Sequence, residues 1–249
     1  IEMDESGVSM DSLRESGANI VHVSPEHHYP LGTVTTAGRR QELLSWAAEA
    51  ANRYIIEDDY DCEFRYSTKS IPALQSMDLS HRVIYMNTFS RSLAPALRVG
   101  YMVLPEDLMA KFRENLGFYG CTVSSFEQYT LARFLSEGYF EKHINRMRKS
   151  YRTRRTEIRA ILENCPGRFA ILEQEAGVHF LLRLDTGRSD AELYQLAARM
   201  GVRLGFLSEY AAVPKPEFAH TLVINYAGLS PQRLPEAIRL LSEVLLPLL

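Results

Sequence analysis

Two apolar runs of strand type, RVIYMNT at residues 82–88 and VGYMVLP at 99–105, are joined by the short segment FSRSLAPALR. A crossover between parallel strands needs about a dozen residues or more, and this connection, which includes Pro95, is too short for one. The second run must therefore return antiparallel beside the first. Upstream the order differs. NIVHVS at 19–24 and YIIED at 54–58 read as further short buried strands. Between them lies a helix over 37–52 with Leu43, Leu44, Ala47, Ala48 and Ala51 on one side and Thr35 or Thr36 as its cap. Strands alternating with helices make an α/β layer on a mostly parallel sheet, with one antiparallel strand.

Beyond Pro105 the texture changes to long helices, over 106–116 and then 125–162, the latter with Gly138 as a break. Phe140, Ile144, Met147, Tyr151, Ile158 and Ile161 recur at helical spacing. There follow the apolar runs FAILEQE and GVHFLLRLD, a helix over 190–200, the runs VRLGFL and TLVINY, and a closing helix over 231–246. The expectation is a partial large domain over 1–105, then bridging helices and a small α+β domain over 106–249.

A net charge of −3 gives no whole-molecule attraction to nucleic acid or to an anionic membrane. Cys62, Cys121 and Cys165 show neither a disulfide framework nor metal-ligand spacing, which fits a reducing compartment. No apolar run approaches the roughly 20 residues that span a bilayer, and the opening IEMDESGVSM is not signal-like. The protein is expected to be cytoplasmic and to be the back part of a longer polypeptide. His27 and His28 are adjacent without a matching second pair, so no metal site is expected. The basic residues between Lys142 and Arg159 could track phosphates on nucleic acid, but the apolar stripe of the same helix explains their spacing as a solvated face.

Ligands of open α/β sheets collect at the carboxyl ends of the strands. There YIIED runs into DYDCEFRY and RVIYMNT into FSRS, so that Asp58, Asp59, Tyr60 and Asp61 would meet Ser90, Arg91 and Arg98 at one edge. Taken alone, the acidic cluster reads equally well as a solvated loop.

SPEHHYPLG (24–32), IIEDDYDCEFRY (55–66) and TFSRSLAPALRVGYMVLP (88–105), in that order, resemble the aminotransferase-like domain of MocR/GabR-type regulators. These are a branch of the GntR transcriptional regulators whose effector domain is similar to the fold type I pyridoxal-phosphate aminotransferases. The resemblance continues through residues 123–155 and LSEY to the C-terminus. It implies a winged-helix DNA-binding domain ahead of this chain, a homodimer, a small-molecule amine or amino-acid effector, and pyridoxal 5'-phosphate as cofactor. In such a regulator, a ligand closing the small domain onto the large one would shift the DNA-binding arms.

By the same resemblance, Asp58 would lie by the pyridine nitrogen and keep it protonated. Tyr60 would donate to the ring's phenolate oxygen, Ser90 and Arg98 would contact the phosphate, and Tyr29 would stand in the turn beside the ring. Arg91 stands where the family carries its Schiff-base lysine. A guanidinium stays protonated, with its lone pairs delocalised, so it can neither attack an aldehyde nor shuttle a proton. The cofactor would then be held without a covalent bond, or lost. Val223 occupies the place of the arginine that grips a substrate carboxylate. The alternative is an active class I/II aminotransferase whose lysine has moved elsewhere, with Lys69 the nearby candidate.

Overall fold

The computed structural model describes residues 1–65, 71–163, 169–172, 177–228 and 232–245. Lys69, Tyr66, Cys165, the end of FAILEQE and both ends of the expected closing helix lie outside the described residues. The chain divides into two compact units, residues 1–29 with 33–146, and 30–32 with 147–249.

The first unit opens with a hairpin, β1 (Met3–Asp4) and β2 (Gly7–Val8), and a short helix, α1 (Met10–Glu15). Its sheet has the order β3 (Ile20–Val23), β4 (Tyr54–Asp58), β5 (Val83–Thr88), β6 (Gly100–Val103). The first three strands are parallel, and β6 pairs antiparallel with β5, as its short connection required. Between β3 and β4 comes α2 (Ala37–Ala48), where the Thr36 side chain accepts from the amide of Arg39. Its Leu43, Leu44, Trp46 and Ala47 pack with Leu13, Val21, Val23, Ile55, Leu74 and Val83 into one buried cluster.

The expectation of short buried strands needs correction. In β3 Val21 and Val23 are buried while Ile20 and His22 are exposed. Successive side chains of a strand point to opposite faces, and the cluster around α2 covers only one. Two short helices escaped the sequence reading, α3 (Leu74–Met77) and α4 (Phe89–Ser92). Each is about one turn, too brief to show a helical period.

Next come α5 (Glu106–Leu116), α6 (Ser125–Ser136) and α7 (Tyr139–Glu163). The break between α6 and α7 falls at Gly138, whose φ of +74° places it in the left-handed region that glycine enters most cheaply. In the second unit β7 (Phe169–Leu172), β8 (His179–Leu184) and β9 (Thr221–Asn225) form an antiparallel sheet. Two helices accompany it, α8 (Asp190–Arg199), closed at its start by a Ser189–Glu192 capping box, and α9 (Leu234–Leu245). The run VRLGFL forms no strand; it gives one isolated bridge from Phe206 to Leu222.

Candidate functional site

A cleft of about 390 Å³ opens at the carboxyl ends of the parallel strands, lined by His22, Val23, Ser24, His28, Tyr29, Asp58, Tyr60 and Arg91. Its polar character follows from how the acidic stretch after β4 is used. Glu57 is fully buried and accepts from the amides of Leu74 and Gln75 at 2.8 and 2.9 Å, fixing the start of α3. Burial raises its carboxyl above the ordinary range. Asp59 accepts from the Tyr85 hydroxyl at 2.9 Å, and burial raises it too. Asp61 lies against His27, with Oδ2 2.9 Å from Nδ1, both buried. The strand's alternation and the turn after it thus leave Asp58 facing the cleft. There its Oδ2 lies 3.2 Å from His22 Nε2.

The wall opposite is built by the loop after β3. Its anchor is Arg40 of α2, 1% exposed, which donates to the carbonyls of Pro25, Thr35 and Pro72 and to Glu26. Arg65 is a second partner of Glu26. A buried guanidinium surrounded by acceptors fixes the backbone on either side of the turn. His28 adds a side-chain contact within it, Nε2 to the Thr35 hydroxyl at 2.8 Å. Burial, with the neighbouring His27 imidazole, the Arg40 guanidinium and the His22 imidazole adding to it, depresses the His28 imidazole to about 4.

Tyr60 is half-buried and donates its hydroxyl to the His27 carbonyl at 3.0 Å. Burial raises its phenol far above the ordinary range; Asp61 adds to this and Arg91 opposes it. Tyr60 is a neutral hydroxyl. The Arg91 side chain is exposed, its guanidinium carbon 6.0 Å from the Tyr60 ring centre.

Of the residues expected in the site, Asp58, Tyr60, Arg91 and Tyr29 line the cleft together, and Ser90 and Arg98 are not among its lining. The Ser90 hydroxyl donates to the Leu97 carbonyl at 3.0 Å, and Arg98 is exposed. The sequence reading missed His22, Ser24 and His28 as lining residues. A signal existed for the first two. Both alternate with Val21 and Val23 in NIVHVS, so they had to face away from the core.

The lining suits the ring of a phosphopyridoxyl group. Asp58 offers a carboxylate for a ring nitrogen, Tyr60 a neutral hydroxyl for a ring oxygen, and Arg91 a fixed cation for an anionic substituent. The volume lies in the range of small-molecule sites. Among the described residues no three metal-binding side chains gather, and no helix is long and apolar enough to cross a membrane.

Comparison with known proteins shows the family and the fold. The family model for aminotransferase class I and II matches residues 7–241. The HTH-type transcriptional regulator YhdI of Bacillus subtilis is 42% identical over 99% of this chain and 52% of its own length. The probable rhizopine catabolism regulatory protein MocR of Rhizobium meliloti is 32% identical over 100% and 50%. The chain thus spans about half the length of the curated relatives it matches. Among solved structures, a Pyrococcus horikoshii kynurenine aminotransferase in complex with PMP superposes with a TM-score of 0.79 at 28% identity, covering 99% of this chain and 63% of that one. The α-aminoadipate aminotransferase LysN of Thermus thermophilus, complexed with N-(5'-phosphopyridoxyl)-L-leucine, gives 0.81 at 24% identity over 100% and 65%.

Proposed function

This chain belongs to the aminotransferase class I and II family, and from that premise we propose that it is the ligand-sensing effector part of a MocR-type transcriptional regulator and not a working transaminase. Its fold is that of the fold type I pyridoxal-phosphate transferases. The observation that carries the reading is the cation in the cleft. Arg91 lies beside Tyr60, and no lysine is among the described residues that line the cleft, Lys69 lying outside them. The regulator relatives support the sensing role.

When bound, pyridoxal phosphate supplies an electron sink conjugated to an amino acid's α-carbon. This chain's residues would orient it: Asp58 at the ring nitrogen, Tyr60 at the ring oxygen, Tyr29 beside the ring, Arg91 as a fixed countercharge. Arg91, at the lysine position, cannot take up a proton from the α-carbon as an amine does. The site would therefore hold a cofactor, or a cofactor with a small amine or amino acid, without turning it over. DNA would be reached through a winged-helix domain of the longer protein, in the cytoplasm.

We place Ser90 and Arg98 at the cofactor phosphate as part of the same reading, which requires the Ser90 hydroxyl to leave the Leu97 carbonyl. The homodimer belongs to it as well. Helices α5 and α6 bury none of their residues, and Phe118, Tyr119, Phe126 and Tyr129 are 70–80% exposed, an aromatic surface that a second copy would cover.

The test is a visible absorbance titration with pyridoxal phosphate, run beside Arg91→Lys and repeated after borohydride. The expected result is a borohydride-reducible band, fixed to the chain, in Arg91→Lys alone. Such a band in the unsubstituted chain would identify a displaced lysine and an enzyme. Its absence from both would refute the cofactor site.

A further inference from the structure

The pair His27–Asp61 is buried, touches a cleft residue, and has no part in the reading above. His27 Nδ1 lies 2.9 Å from Asp61 Oδ2 and 3.2 Å from the Tyr60 hydroxyl oxygen. An ionised carboxylate only accepts, so the shared nitrogen must carry the hydrogen. That one hydrogen is directed at Asp61, the nearer acceptor, and reaches the Tyr60 oxygen only as the longer arm of a shared bond, while the Tyr60 hydrogen goes to the His27 carbonyl at 3.0 Å. Held in this way, the phenol can change acceptors by turning one C–O bond, without moving its ring. When the Tyr60 hydrogen turns to a ligand oxygen, the longer arm of the shared Nδ1–H bond still holds the Tyr60 oxygen in place and polarises it weakly.

We propose that His27 and Asp61 are positioning residues that act through Tyr60, holding its hydroxyl ready to donate to the ring oxygen of a phosphopyridoxyl ligand in the cleft. The proposal rests on the cofactor reading. Asp61 fixes the histidine tautomer, and the histidine fixes the tyrosine oxygen, by the same logic that lets a carboxylate orient an imidazole in hydrolase triads. Burial is the main cause that raises the Tyr60 phenol, and Asp61 adds to it against the opposing Arg91 charge.

The experiment compares the unsubstituted chain, Asp61→Asn, Tyr60→Phe and the double substitution by pyridoxal phosphate binding and by the pH midpoint of the bound ligand's absorbance. Each single change is expected to weaken binding about tenfold, the worth of one hydrogen bond, and to move the midpoint upward. The double change should be no weaker than Tyr60→Phe alone. Losses that add, or weaker Asp61→Asn binding with an unmoved midpoint, would make Asp61 a packing residue and overturn the proposal. If Asp61→Asn fails to fold by Trp46 emission, His27→Gln takes its place in the same cycle. Nitrogen-15 spectra of the ligand-free chain supply an independent arm: His27 should carry its hydrogen on Nδ1, and a hydrogen on Nε2 alone refutes the arrangement. No binding by the unsubstituted chain refutes the cofactor reading and the ligand half of this proposal with it; the His27 tautomer then decides the positioning half.

Discussion

Replacing His28 by Gln should flatten the acid side of the stability profile of the first unit. His28 is 9% exposed, and its value falls from an ordinary 6.5 to about 4. As pH drops, the unfolded chain takes up this proton first. The stability linked to His28 is therefore intact above about pH 6.5 and is lost progressively as pH falls toward 4. At about 1.4 kcal/mol per unit of pH, the loss between pH 7 and pH 4.5 is roughly 2–3 kcal/mol, a large share of the 5–15 kcal/mol typical of a folded domain. Glutamine can keep the contact with Thr35 and does not titrate. Trp46, the chain's single tryptophan, is fully buried in the same unit and reports its urea unfolding. The stability advantage of the unsubstituted chain over His28→Gln should shrink by that roughly 2–3 kcal/mol between the two pH values. Profiles that stay parallel within about 0.5 kcal/mol would show that His28 is not held neutral by its surroundings, and the account of the turn would fall.

The ion pairs of the first unit should separate by burial. Glu26→Ala leaves the Arg40 guanidinium, 1% exposed, without its carboxylate and should cost about 3–5 kcal/mol by urea unfolding. Arg14→Ala, which breaks an exposed pair with Glu49, should leave the urea midpoint nearly unchanged; equal costs would refute the ranking. Gly138→Ala meets no atom within 4 Å, so only the φ of +74° opposes it, and a loss of about 1–2 kcal/mol is expected. An unchanged urea midpoint would mean that the junction relaxes without strain.

The parallel strands, the antiparallel return of β6 and the break at Gly138 were legible because each depends on neighbours in sequence: apolar period, connection length and backbone freedom. Asp58, Tyr60, Arg91 and Tyr29 were legible as candidates because they follow strand ends or stand in a resembling motif. What distinguishes one acid from the next was not legible. Glu57, Asp58, Asp59 and Asp61 are nearly interchangeable in a string. In the fold one caps α3, one faces the cleft beside His22, one meets Tyr85 and one backs His27. Those assignments depend on partners up to 36 residues distant along the chain, brought close only when β3, β4 and β5 lie side by side. The sequence by itself determined which residues stand at the strand ends and that Arg91 cannot act as a lysine. Tertiary structure decided which of them reach the cleft, because alternation and burial sort side chains between two faces while the desolvation of each charge demands a partner that only the packed sheet supplies.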